Sequence, residues 1–216
     1  EWEEKINYMM SRLQGAYSLT VLTESGVIGI RDPLGVRPLC LGKIDNGYII
    51  ASESCAIDHI GGEYIREIEA GEAVFITENE YKTIYKKETK KIAACVFENI
   101  YFARPDSILN DQLVYLTRKK MGAQLAIEHP VDADLVIGVP DSATAAAVGY
   151  SEESGITFTE GLMKNRYVGR TFILPDQRMR DIGVRIKLNP LKEIIYGKSI
   201  IVVDDSIVRG TTTPFV

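Results

Sequence analysis

Ile200-Ile-Val-Val-Asp-Asp-Ser-Ile-Val-Arg-Gly-Thr-Thr-Thr213 is an apolar run that ends in two acids and continues through hydroxyl residues and a glycine. The four β-branched residues at 200–203 read as a buried strand. Gly210 marks a turn, and Pro214 suits the first turn of a following helix. Such a strand–turn–helix aims backbone N–H groups into a concavity, and the helix N-terminus adds positive potential. Ser206, Thr211, Thr212 and Thr213 add hydroxyl donors, so the run predicts a phosphate cradle. Asp204 and Asp205 do not favour a phosphate directly. They suit a sugar diol, or Mg²⁺ held through water. A phosphate, a diol and a divalent cation together describe the 5-phosphate end of a ribose. A buried strand with a solvated Asp-Asp turn is the bland alternative, and a lone Asp-Asp would favour it. The hydroxyls and glycine behind the acids tilt the balance to the cradle.

The rest of the second half alternates in the same style. Ile92–Phe102 reads as a strand. Asp111–Glu128 reads as a helix with Val114, Thr117, Met121 and Leu125 on its apolar face. Leu135–Val139 is a short strand running into Pro140-Asp141-Ser142. Ser142 is placed to cap the Ala-rich helix that follows, and Gly155 to stop it. Strand, helix, strand, helix implies a parallel sheet with ligands at the strands' carboxyl ends.

The first half has another rhythm. Ser18–Leu22, Val27–Arg31, Pro38–Ile44, Tyr48–Ser52 and Ala73–Thr77 are short β-rich segments separated by turn residues, among them the hairpin pair Asn46-Gly47. This spacing predicts an antiparallel, sheet-rich domain. Lys82–Lys91 is polar and basic and reads as a connector or an exposed edge strand. The expected organisation is therefore a β-rich domain over 1–91 and an α/β domain over 92–216.

Composition limits the function classes. The 216 residues carry a net charge of −5, which argues against a general nucleic-acid binder. No apolar run approaches the ~20 residues of a membrane helix. Cys40, Cys55 and Cys95 are an odd number without paired spacing, which points to a reducing, cytoplasmic setting. The chain opens on Glu1-Trp2-Glu3-Glu4-Lys5, with no Met and no leader pattern, so it is expected to continue beyond both ends. Charge is also unevenly spread. Lys164 to Lys187 holds seven Lys/Arg against two Asp, a net +5 inside an acidic chain. A basic island of this kind favours a polyanion over a merely solvated loop. Gly169, Pro175 and Gly183 interrupt regular structure in it, so a mobile loop is expected, with a hairpin through Arg170–Leu174 as the rival.

Val203-Asp-Asp-Ser-Ile-Val-Arg-Gly-Thr-Thr212 resembles the phosphoribosyl-pyrophosphate motif of type I phosphoribosyltransferases, in its amidophosphoribosyltransferase version. Gly138-Val-Pro-Asp-Ser-Ala-Thr144 is similar to that family's pyrophosphate loop. Lys164–Ile173, continuing to Gly183–Pro190, is similar to its catalytic loop. Gly15–Ser18, Arg31–Leu39 and Ala51–Cys55 resemble the late part of its glutaminase domain. The matches run in order over almost the whole chain.

The resemblance implies an α/β chain in two parts. The first is the C-terminal part of an antiparallel, β-rich glutaminase domain with an N-terminal-nucleophile fold. The second is an incomplete type I phosphoribosyltransferase domain with a parallel sheet. It implies that Asp204 and Asp205 hold the ribose diol, and that Ser206, Ile207, Val208, Arg209, Gly210, Thr211 and Thr212 hold the 5-phosphate. Asp141 and Ser142 would bind pyrophosphate, with Lys187, Arg185, Lys164 and Arg166 as catalytic cations. Ser142, Asp204 and Asp205 would place Mg²⁺. Cys95 matches a 4Fe–4S ligand of one branch of the family, beside the plainer reading of a strand thiol. Cys40 and Cys55 match no such position and are expected in the core.

Position 1 is Glu1 where the family's mature glutaminase begins with a nucleophilic cysteine, so no catalytic glutaminase residue carries over. Pro214-Phe215-Val216 also departs from the family's polar, basic pattern. The implied reaction makes phosphoribosylamine from phosphoribosyl pyrophosphate and glutamine-derived ammonia, in a homo-oligomeric parent. A nucleobase-salvage phosphoribosyltransferase and a phosphoribosyl-pyrophosphate-binding module without turnover stay open at this point.

Overall fold

Alternation of apolar residues along one strand, Glu72–Ile76, shows how the first half is layered. Ala73 and Phe75 pack into one apolar cluster, while Val74 and Ile76 pack into another. The computed structural model describes residues 1–45, 47–87, 91–167 and 187–207. The chain divides into two compact units, Glu1–Val114 and Tyr115–Val216.

The first unit holds α1 (Trp2–Arg12), β1 (Ser18–Thr23), β2 (Gly26–Arg31), β3 (Cys40–Ile44), β4 (Gly47–Ala51), α2 (Ser54–His59), β5 (Glu63–Glu67), β6 (Glu72–Ile76) and β7 (Tyr81–Lys86). Two antiparallel sheets result, ordered β1-β2-β6-β7 and β4-β3-β5. Ile6 and Met10, one turn apart on α1, pack on Ile28, Ile30 and Ala73 of the first sheet. Leu41, Ile50 and Ile65 of the second sheet meet Val74 and Ile76 of the first. At Gly29 a Cβ would stand 2.6 Å from Ile50 Cδ1, so the sheets touch there. Ile57 of α2 lies against Gly42 of β3 and is fully buried. The order of layers is therefore helix, sheet, sheet, helix.

The five strands expected here are present, within a residue or two at their ends. Lys82–Lys91 supplies the edge strand β7, which ends at Lys86. α1, α2 and β5 are additions. Trp2, Ile6, Met9 and Met10 give α1 a helical apolar spacing that announces it, whereas α2 and β5 are too short to show a period.

Ile92–Phe102 is not a strand. Residues 91–95 are irregular, and Glu98–Phe102 forms one π-helical turn. Among the described residues no strand pairs with it, and its aromatic rings pack on each other, Phe97 on Phe102 at 6.1 Å and Tyr101 on Phe102 at 6.0 Å. The segment belongs to the first unit through its polar bonds. Ala93 N–H donates to Leu34 O, Arg104 N–H and Ser107 Oγ donate to Glu53 Oε2 at 2.7 Å each, and Ile108 N–H donates to Ser54 Oγ. Hence the compact units part at Val114, later than the expected 91/92 boundary. A hairpin of β8 (Ile108–Leu109) and β9 (Gln112–Leu113) closes this segment. Asn110 and Asp111 both sit at positive φ, 49° and 58°, as a two-residue primed turn requires.

The second unit holds α3 (Val114–Glu128), β10 (Leu135–Gly138), α4 (Thr144–Ser154), β11 (Leu162–Lys164), β12 (Leu188–Pro190), α5 (Lys192–Ile195) and β13 (Ile200–Val203). β10 and β13 are parallel, with Leu135 opposite Ile200 and Gly138 opposite Val203. Phe158 bridges the other side of β10 at Val136, also in parallel sense. The expected buried face of α3 is corrected. Val114, Arg118, Gly122 and Ala126 are buried, while Met121 and Leu125 are each 40% exposed. Close helix packing explains the burial of Gly122 and Ala126, whereas Val114 packs with Ala103 and Leu109. A Cβ on Gly122 would stand 1.8 Å from Ala146 O, and one on Gly149 1.9 Å from Lys119 O. α3 and α4 thus meet backbone to backbone, and larger side chains are turned away from that seam. β13 is also less buried than expected, with Val202 40% exposed. Among the described residues no helix is long and apolar enough to cross a membrane.

Candidate functional site

The carboxyl ends of β10 and β13 lie side by side, which brings two distant stretches of sequence together. Pairing continues one residue past the strands, with Val139 N–H donating to Val203 O at 2.9 Å. At that edge β10 runs into the Pro140–Ala143 turn and β13 into Asp204-Asp205-Ser206. Below the edge Val136, Ala143, Ala147, Tyr150 and Val203 form the apolar floor. α4 ends as expected at Gly155, left-handed at φ 74°.

Asp204 is exposed and Asp205 half-buried. Asp205 N–H donates to Asp204 Oδ1 at 2.8 Å, and Ser206 Oγ donates to Asp205 Oδ1 at 2.6 Å. Local crowding raises the Asp204 carboxyl above its usual range. The Asp205 amide opposes this, and the Asp205 charge adds to it. Both bonds use Oδ1, so Oδ2 of each carboxylate has no described partner. Two adjacent carboxylates, one exposed and one half-buried, are a donor set suited to a hard cation or a diol.

The Ser142 expectation needs correction. The N-cap of α4 is Ala143, in helical conformation and without a side-chain cap bond, and Ser142 sits half-buried in the preceding turn. With its N-cap role gone, Ser142 keeps only its place at the strand edge. The Pro140–Asp141 peptide in this turn is cis.

A cleft of about 480 Å³ opens next to the turn. Gly138, Asp141 and Thr144 line one flank, and Lys164 and Arg166 another. Lys164 Nζ donates to Asp141 Oδ2 at 2.5 Å. Lys164 ends β11, which pairs antiparallel with β12, and Asn165 N–H donates to Lys187 O at 2.8 Å. The two ends of the basic stretch are thereby clamped together, with Lys187 half-buried at the clamp. Phe158, Thr159 and Glu160 also line the cleft and were missed in the sequence. Their only signal was position after Gly155, between a helix and a strand. Arg185, Val208, Arg209, Gly210, Thr211 and Thr212 lie outside the described residues, as does the stretch 168–186 that contains Arg170–Leu174.

Cys40 and Cys55 are buried, as expected of core thiols. Burial, reinforced by Glu67, pushes the Cys40 thiol up to about 12, and it donates to Ala51 O. Cys95 is half-buried outside any strand. Among the described residues no group of three or more His, Cys, Asp or Glu stands ready for a metal. A cluster at Cys95 would need its other ligands from elsewhere.

Parallel strands, a helix packed on them and acids at their carboxyl edge define an α/β arrangement of the kind in which ligands commonly bind where the strands end. Comparison with known proteins narrows the class. No family model matches the chain. It is 54% identical to a Synechocystis amidophosphoribosyltransferase over 99% of its length, and 53% identical to the Archaeoglobus fulgidus amidophosphoribosyltransferase over 93%. It is also similar to the glutamine phosphoribosylpyrophosphate amidotransferase of B. subtilis, solved with ADP and GMP, at 45% identity and a TM-score of 0.88. Over almost its whole length the chain is similar to part of the amidophosphoribosyltransferases. It spans 44% of the Synechocystis protein and 47% of the B. subtilis chain, less than half of either.

Proposed function

We propose that this chain carries much of the phosphoribosyl-pyrophosphate site of an amidophosphoribosyltransferase, which makes phosphoribosylamine at the entry to purine synthesis. The observation that carries the reading is the shared carboxyl edge of β10 and β13, which sets Asp204-Asp205 next to the Pro140–Ala143 turn. Sequence identity of 54% over 99% of the chain supports the chemistry.

In this reading residues 1–91 derive from an N-terminal-nucleophile glutaminase domain, and the helix–sheet–sheet–helix layering supports that. Residues 92–216 supply the type I phosphoribosyltransferase part. Asp204 and Asp205 accept hydrogen bonds from the ribose diol, and residues 206–212 receive the 5-phosphate. Asp141, Ser142, Lys164, Arg166, Arg185 and Lys187 surround the pyrophosphate. Attack of ammonia on C1 needs no protein nucleophile, so rate comes from positioning and from cations facing the leaving pyrophosphate. Mg²⁺, when bound, would neutralise phosphate charge, and Asp204 and Asp205 would hold it through water, with Ser142 nearby. Cys95 would be one ligand of a 4Fe–4S cluster if the family branch carries one. A cytoplasmic homo-oligomer completes the proposal.

The test is Asp204→Asn with Asp205→Asn in the protein as the cell makes it. Ammonia-dependent kcat/KM for phosphoribosyl pyrophosphate is expected to fall about 100-fold, roughly 3 kcal/mol for two charged acceptors. Unchanged ammonia-dependent kinetics would remove the site from Asp204-Asp205.

A further inference from the structure

The cation that flanks the cleft already has an internal counter-ion. Lys164 Nζ contacts Asp141 Oδ2, and the two residues stand 23 apart in sequence on opposite flanks of the same space. The lysine side chain is one-third exposed, while the aspartate is about three-quarters exposed. Lys164 is therefore held by its place on β11, opposite Leu188, and Asp141 is the partner that reaches across. An exposed pair of this kind is weak and easily exchanged.

We infer that Asp141 competes with the ligand's anion for Lys164, so that an incoming pyrophosphate group displaces the Asp141 carboxylate and takes over the ammonium. This rests on the proposed phosphoribosyl-pyrophosphate reading of the cleft and deepens it. Asp141 then acts on the ligand through Lys164, as a positioning residue and a stand-in for the substrate's anion. Without it, a bare ammonium in the cleft would attract any small anion. With it, an incoming anion must displace the aspartate, and an anion that also reaches Arg166 gains a second cation in doing so.

A double-mutant cycle tests the exchange, with Mg²⁺ and inorganic pyrophosphate as the probe and calorimetry as the readout, in the protein as the cell makes it. Asp141→Asn is expected to tighten pyrophosphate about three-fold, the size of a weak exposed pair. It is also expected to let chloride compete more strongly. Lys164→Met is expected to weaken pyrophosphate, and Asp141→Asn added to Lys164→Met to change nothing further. Weaker or equal binding by Asp141→Asn overturns the inference, because Asp141 would then be a direct ligand or a bystander. Tightening that persists beside Lys164→Met also overturns it, since a general loss of negative charge would explain it. If the wild type binds no pyrophosphate, the reading of the cleft itself falls, and this inference falls with it.

Discussion

Glu72 sits buried at the first residue of β6 and accepts four hydrogen bonds. Arg66 reaches both of its oxygens at 2.8 Å, Thr83 Oγ1 donates at 2.6 Å, and Glu69 N–H donates at 2.7 Å. Burial alone would raise its pKa, but the Arg66, Thr83 and Glu69 bonds outweigh burial and hold it below the usual glutamate range. A depressed carboxylate contributes stability above its unfolded pKa, and that stability is lost as pH falls through the folded value. Glu72→Gln is expected to cost about 2 kcal/mol at pH 7, as a charged partner is removed from a half-exposed Arg66. The gap between variant and wild type should close below about pH 4 in urea titrations. A gap that stays constant from pH 7 to pH 3 rules out the carboxylate as its source. Glu98 shows the opposite case. Burial raises it and Glu53 adds to that, while Arg37, 2.8 Å from Oε1 in an ion pair without hydrogen-bond geometry, opposes.

At the scale of elements, the seam between α3 and α4 positions the floor of the site. Gly122 and Gly149 let the two helices approach until backbone meets backbone. On an exposed helix, Gly→Ala stabilises by up to about 1 kcal/mol. Here the added methyl meets a carbonyl oxygen that cannot step aside, so the sign reverses. Gly122→Ala and Gly149→Ala are each expected to destabilise by about 2 kcal/mol. Gly155→Ala probes a different cause, since its added methyl has open space and only the left-handed φ opposes it. Denaturant midpoints of the three variants check the argument, and stabilisation at Gly122 or Gly149 would show that the seam is loose.

At the scale of the molecule, binding and folding are linked. A ligand that binds only the folded chain stabilises it by mass action, by about 2.7 kcal/mol at 100 times its Kd. Phosphoribosyl pyrophosphate with Mg²⁺ is expected to raise Tm, and Asp204→Asn with Asp205→Asn to abolish the rise while leaving the ligand-free Tm almost unchanged. The acids are exposed or half-exposed, so their removal leaves the core intact. A Tm rise of equal size in the double variant would place the ligand elsewhere.

Sequence by itself determined the parallel pair around the site and the antiparallel strands of the first half. Ile200–Val203 and Leu135–Gly138 are short β-branched and apolar runs that end abruptly in turn residues, and that signal is local. The place of Asp204-Asp205 at the carboxyl edge of the Ile200–Val203 strand was legible for the same reason. What tertiary structure decided is whatever depends on a partner far along the chain. Phe97 and Ile100 have strand propensity but, among the described residues, no strand to pair with, and 98–102 forms a helical turn. Gly122 and Ala126 face inward because α4 lies close, and Val114 because Ala103 and Leu109 cover it, which no periodicity in α3 announces. The Asp141–Lys164 contact and the Thr159–Glu160 wall of the cleft also needed the fold, since propensity and period act over a few residues and a cleft joins flanks 20 or more residues apart.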